Sequence, residues 1–269
     1  MPLLARASAY TESMSLGTSV LLLPLLNPMD VVEQATTIDV MSRGNFILGV
    51  GLGYRENEIL ASGMKRNELI DRFCESINVI KVVWENETAN FSGKHFSIKD
   101  AKINPRPFQK PRPPILVGAY DDRAVIRAGS IGDGWIVPPE LASTPLERKL
   151  TLYQNEMRLR KRRGILAMMR AFHVTSNREE ANSVRNLVSS HFANKRKMGL
   201  DRISNLNDNL DYEVIVGEPS HCIEAMSKLK NRYQPNHLIL LMGFQGISNE
   251  QLVESIKLAG DSVLPCLED

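Results

Sequence analysis

Cysteine is scarce in this 269-residue chain: Cys74, Cys222 and Cys266 are the only three, widely spaced and odd in number. That argues against a disulfide framework and supplies no paired thiolates for a zinc site. Excess charge of one sign is also lacking, since 33 Lys+Arg against 31 Asp+Glu leave +2, so the electrostatic footprint of a nucleic-acid binder is missing. No apolar run approaches the ~18 residues that span a bilayer; the best, 21–26, is broken by Pro24 and followed by Asn27-Pro28. The five histidines (His95, His173, His191, His221, His237) show no metal-ligand spacing, and no H-E-x-x-H, G-x-S-x-G or P-loop pattern occurs, which disfavours metal-dependent hydrolysis and a serine nucleophile. Residues 1–10 lack the order of a secretory signal; Leu3, Leu4 and Ala7 instead share one helical face. A reducing cytoplasm fits these absences.

What is present is an α/β pattern. Six short apolar runs, at 15–23, 45–51, 115–118, 134–137, 166–174 and 237–242, are nearly continuous in hydrophobicity, as strands buried on both faces of a parallel sheet are. Helical patterns separate them. Asn27-Pro28-Met29-Asp30 supplies an N-cap, a proline at the first helical position and an acid in the first turn. Val31, Val32, Ala35, Ile38 and Met41 then recur at helical spacing up to Gly44, placed to end the helix in a left-handed turn. Leu69, Ile70, Phe73, Ile77, Ile80 and Trp84 mark a second helix, and a third runs from Asp121-Asp122 to about Gly129. Alternating strands and helices argue for right-handed β-α units in one domain over 1–269. Periodicity alone leaves an open doubly wound sheet and a closed barrel both possible. Two stretches, 88–114 and 176–236, exceed plain connections, and such excursions are expected over an active site or at an interface.

Candidate chemistry centres on glycine. Gly49-Val50-Gly51-Leu52-Gly53-Tyr54 follows a strand, yet its third glycine comes one place too early for a dinucleotide fingerprint, which disfavours an NAD-binding Rossmann dehydrogenase. The alternative is a strand end where the backbone passes close to a flat ligand or a tight neighbour, because glycine removes the Cβ. Gly118-Ala119-Tyr120-Asp121-Asp122 lies between a strand and a helix start, where backbone N–H groups attract anions; its two carboxylates suit capping and would repel a phosphate. His173, three residues after Arg170, is read as a structural histidine ahead of a pocket-facing one. The basic run Arg158, Arg160, Lys161, Arg162, Arg163 is read as a solvated helix end.

Several segments in order resemble one family: Leu16-Gly17-Thr18-Ser19-Val20 with Pro24 and Asn27-Pro28, then Ile38 to Gly44, Phe46 to Gly53, Pro105-Arg106-Pro107, Pro113 to Gly118 and Gly132-Asp133-Gly134-Trp135. Together they resemble the luciferase-like flavin- or deazaflavin-dependent oxidoreductases, closely over roughly residues 1–140. The resemblance implies an eightfold β/α barrel, (β/α)8 or TIM-barrel in type, with its ring cofactor, FMN or coenzyme F420, in the mouth at the C-terminal ends of the strands. It implies monooxygenation with reduced FMN, served by a flavin reductase, or hydride transfer with the deazaflavin. Either way the substrate is a small organic molecule and the assembly a homodimer or higher oligomer.

By position, Ser19-Val20 matches the place of a non-prolyl cis peptide against the ring. Gly51, Gly53 and Tyr54 match the strand end beside it, and Gly118, Ala119, Tyr120 and Asp121 match the loop near the cofactor phosphate. Asp121 departs from the small hydroxyl or glycine usual there, and Pro138-Pro139 stand where a phosphate-contacting hydroxyl is usual. The first strand here resembles the family's third, so about 60 residues, the length of two β-α units, are expected to be absent, eight strands less two matching the six runs. No metal is implied, and the catalytic residues stay unknown, with Tyr54 and His173 the acid–base candidates. The rival reading is a non-catalytic barrel remnant acting as a ligand-binding or dimer subunit.

Overall fold

A computed structural model describes residues 1–141, 143–195 and 214–267, with the side chains of 143–145 and 193–195 left aside. The chain divides into two compact units, Met1–Ile136 with Leu152–Gly164, and Val137–Thr151 with Ile165–Asp269. Each is described by itself.

The first unit opens with α1 (Pro2–Ala7) and two strand fragments, β1 (Leu16–Gly17) and β2 (Leu21–Leu22), where one strand is expected over 15–23. The break falls at Thr18–Val20, and the Ser19–Val20 peptide bond is cis. Helix α2 (Pro28–Met41) starts as its residues dictate: the Asn27 side chain accepts from Met29 N, with Pro28 in the first turn. It ends in a left-handed turn through Arg43 and Gly44, at φ +53° and +85°. Strand β3 (Phe46–Gly51), helices α3 (Glu56–Ala61) and α4 (Leu69–Glu85), the antiparallel hairpin β4 (Ala89–Ser92) and β5 (Ser97–Ala101), strand β6 (Ile115–Gly118), helix α5 (Asp122–Ile131) and strand β7 (Gly134–Val137) follow. Parallel pairing is direct in register: Leu16 with Phe46, Leu22 with Gly51, Val50 with Val117, Gly118 with Ile136. The C-terminal ends of β2, β3, β6 and β7 therefore lie side by side. Phe46, Leu48, Val50 and Ile115 to Val117 are buried, as are Val32, Ala35, Phe73, Ile77 and Ile80 of helices α2 and α4.

The stretch 88–114 is divided: its hairpin lies on the first turns of α4, where Glu75 accepts from His95 N at 2.8 Å, and the remainder is placed away from those C-terminal ends. Past the hairpin, its proline-rich half, with cis peptides before Pro105 and Pro111, is bound where strands begin. The buried Asp39 carboxylate of α2 accepts from Phe108 N at 2.7 Å, Gln109 N at 3.1 Å and Gln109 Nε2 at 2.7 Å. Gln109 Nε2 also donates to Phe46 O, at the first residue of β3. The stretch precedes β6, so its end must reach that strand's N-terminal end.

Helix α6 (Ser143–Leu159) gives its first turns to the second unit and its last to the first. The second unit then runs β8 (Ile165–Val174), α7 (Arg178–Lys195), β9 (Val214–Gly217), α8 (Pro219–Tyr233), β10 (His237–Leu241) and α9 (Asn249–Leu258). Strand β8 pairs in parallel with β10 over Ala167–Ala171 and with β9 over Ala171–Val174. Val214, Val216 and Ala171 form a core with Ala181, Val184, Val188 and Phe192 of α7 and with Phe244. The stretch 176–236 is thus ordinary β-α material, not a single excursion, with 196–213 outside the described residues. Among the described residues, strand β9 is a seventh parallel strand that the count of six lacks; at four residues it is as long as β6 and β7, but it lies inside the stretch 176–236 expected as one excursion.

Candidate functional site

Thr18, Ser19 and Val20 form the connection between β1 and β2, and glycine makes room for it. A Cβ on Gly49 would lie 1.8 Å from the Thr18 carbonyl oxygen; on Gly51 it would meet Val20 Cγ2 at 2.6 Å, and on Gly118 Val20 Cγ1 at 3.2 Å. The Thr18 hydroxyl donates to Gly49 O at 2.7 Å, fastening the same segment to β3. Between the two alternatives left by the sequence, these glycines answer first to a tight neighbour. What they carry is Val20, wedged across the ends of β3 and β6 with 36% of its surface still open. Ser19 beside it is exposed.

The rim is built on the same strand ends. Gly53 holds φ +82° against Leu22, a backbone conformation for which glycine is suited. It leads to Tyr54, an exposed ring with the Arg55 guanidinium 5.7 Å above it; Arg55 is itself paired to Glu58 at 3.0 Å. On the β6 side, the buried Trp135 donates from Nε1 to Ala119 O at 2.9 Å, fixing the turn after Gly118. Asp121 caps α5, its carboxylate accepting from Ala124 N at 2.9 Å while its carbonyl accepts from Val125 N. Of the residues picked out in the sequence, Ser19, Val20, Gly51, Gly53, Tyr54 and 118–121 thus share the C-terminal strand ends of one unit. Gly49, Thr18 and Trp135 complete the construction; all three stand in segments that carry the family resemblance, where no role is singled out for them.

His173 belongs to the second unit. It is wholly buried, with Nε2 3.1 Å from Glu180 Oε1, and Glu180 also accepts from the Thr175 hydroxyl at 2.8 Å. The structural reading of this histidine holds. The basic run is only partly solvated: Arg160 pairs with Glu156, and half-buried Arg162 donates to Gly129 O and Ser130 O at the end of α5. Cys222 is buried, which pushes its thiol up to about 12 and removes it from nucleophilic chemistry. Among the described residues no cluster of three or more His, Cys, Asp or Glu forms a metal site, and no helix is long and apolar enough to cross a membrane.

An open apolar contact at the C-terminal ends of parallel strands, with a helix start beside it, is where β/α-barrel enzymes place their chemistry. The sequence profile of the luciferase-like monooxygenase family matches residues 1–233. The chain belongs to that family. It is 37% identical over 130 residues to an F420-dependent glucose-6-phosphate dehydrogenase of Amycolatopsis mediterranei, a match covering 47% of this chain and 38% of that protein. Among solved structures, the monooxygenase RslO1 from Streptomyces bottropensis superposes with a TM-score of 0.85 at 20% identity, over 98% of this chain and 82% of that one. The oxygenating constituent of 3,6-diketocamphane monooxygenase of Pseudomonas putida, in complex with FMN, gives a TM-score of 0.78 at 17% identity, over 98% and 83%. These likenesses establish the fold as the α/β, barrel-type fold of the family.

Proposed function

We propose that this chain is part of a luciferase-like oxidoreductase whose redox chemistry comes from a flavin or deazaflavin, FMN or F420, acting on a small organic substrate in the cytoplasm. The observation that supports this most directly is Val20, held proud of the sheet on Gly51 and Gly118. A branched aliphatic side chain fixed from beneath and open above is a rigid apolar bearing for a flat aromatic ring. When bound, the ring would supply hydride transfer or oxygen activation.

This chain's own residues bind and orient. Val20 meets one face, Ser19 offers a hydroxyl at its edge, and Tyr54 gives the rim an aromatic wall. Tyr54 is the one acid–base candidate on that rim, since His173 is spent on Glu180. The chain matches well under half of the dehydrogenase it resembles; the choice between dehydrogenation and monooxygenation, a reductase partner and a homodimer stand as proposals.

Fluorescence titration of the purified chain with FMN, F420 and riboflavin tests the reading. Saturable one-to-one binding of any of the three, weakened by Val20→Asp, supports a ring site at these strand ends. Folded protein that binds none of them would overturn it in favour of a remnant without cofactor.

A further inference from the structure

The ring bearing and the start of α5 make opposite demands on a ligand. A helix N-terminus beside such a bearing ordinarily receives an anion, because its N–H groups point outward and carry the positive end of the dipole. Asp121 follows Gly118 by three residues, so its Cα lies within about 10 Å of the bearing, in reach of a ribityl chain. Here the place of an anion is taken. The Asp121 carboxylate accepts from Ala124 N at 2.9 Å, and Asp122 stands beside it in the first turn. Neither end of the turn is loose, because Trp135 Nε1 holds Ala119 O and Val125 N holds Asp121 O. Arg123 follows, so the turn of two carboxylates and one guanidinium keeps a net negative charge. The residues present therefore fit the ring of FMN or F420 and do not fit a phosphate at this turn.

We propose that Asp121 is a specificity-determining residue that turns the site away from phosphate-bearing tails, so that it accepts a flavin with a neutral ribityl tail, riboflavin, at least as readily as FMN. The inference rests on the ring site proposed above. A dianionic phosphate brought beside a fixed carboxylate is repelled at short range, by an amount that translates into about tenfold in affinity at a partly solvated site. The neutral tail meets no such penalty, and its hydroxyls can donate to the same carboxylate.

The test is a fluorescence titration of wild-type protein and Asp121→Asn with riboflavin and FMN, F420 serving as a second phosphate-bearing ligand. Asparagine also caps helices well, so the variant removes the charge and keeps the turn; circular dichroism checks that the fold is retained. The wild-type chain is expected to bind riboflavin no more weakly than FMN. Asp121→Asn is expected to tighten FMN and F420 about tenfold while leaving riboflavin within about twofold. FMN binding at least tenfold tighter than riboflavin to the wild type, or a substitution that moves both flavins alike, overturns the role of Asp121 and leaves the ring site standing. Binding of none of the ligands overturns the ring site itself, and this inference with it.

Discussion

The two ends of the parallel strands in the first unit are built on different principles. At the N-terminal ends, polar groups are buried and matched. Asp39 receives three donors from 108–109; Arg112, with 9% of its side chain exposed, is bidentate on Asp133 and reaches Glu85; Asp133 also accepts from Ile115 N; and Arg106 caps the carbonyls of Val83 and Trp84 at the end of α4. At the C-terminal ends, polar and apolar groups alike stand open: Ser19, Val20, Tyr54 and Asp121 are exposed over glycines. One end closes the sheet and the other presents it, the division of labour known for β/α barrels.

The largest effect should come from the closed end. Replacing Asp39 by alanine leaves the half-buried N–H groups of Phe108 and Gln109 without their acceptor and the Gln109 amide with Phe46 O alone, at a desolvation cost for each donor left unpaired. A loss of about 4 kcal/mol is expected in urea unfolding, with ring binding at the other end unchanged in whatever protein stays folded. A substitution that left stability alone and altered ligand affinity would erase the distinction between the ends.

Gly49→Ala asks whether the open end is loosely made. The added methyl would stand 1.8 Å from the Thr18 carbonyl, which is backbone and cannot swing aside, so either β3 or the Thr18–Val20 segment must move. A destabilisation of about 3 kcal/mol is expected, together with loss of flavin binding. A stable Gly49→Ala protein with normal affinity would mean that the segment is not wedged as described.

Acid sharpens the comparison. Burial pushes the Asp133 carboxyl up, but the hydrogen bonds and charge of Arg112, with Ile115 N, more than offset it and hold the group below the usual aspartate range. A depressed folded pKa gives stability that is present in full above the unfolded value near 3.9 and is lost as pH falls through the folded value. Unfolding free energy should therefore fall below pH 4 on this account, and Asp133→Asn should flatten that part of the profile while costing stability at neutral pH. If the profile kept its acid slope in Asp133→Asn, the loss would belong to other carboxylates.

How far the sequence reaches follows the same line. Strands buried on both faces show as unbroken apolar runs, and caps such as Asn27-Pro28 or Asp121 declare themselves because their donors lie two or three residues away. The glycine cluster at 49–53 was legible as a close approach. What approaches it was not, since the Thr18 carbonyl and Val20 come from another strand, some thirty residues earlier in the chain. Strand β9 was hidden inside the long stretch after β8, and the placement of 102–114 by its dependence on Asp39, one of three acids in α2. Tertiary partners of this kind leave no local pattern.

The smallest effect on stability and the most informative one on function should come from Val20→Ala. Its methyls rest on Gly51 and Gly118, yet 36% of the residue is open, so truncation removes only part of a buried contact, and about 1 kcal/mol is expected. The surface left behind is recessed between two glycine backbones, and a flat ring can no longer touch it. Affinity for flavin or deazaflavin should drop about tenfold, the equivalent of ~1.4 kcal/mol, with equal loss for phosphate-bearing and neutral forms, because Val20 faces the ring and not the tail. Leucine at the same place would overfill the space against Gly51 and cost more stability than alanine does, while keeping an apolar surface above. A pair of variants in which alanine is the more stable and leucine the better binder would show that this end of the sheet is shaped for what it presents, at some expense to how well it packs.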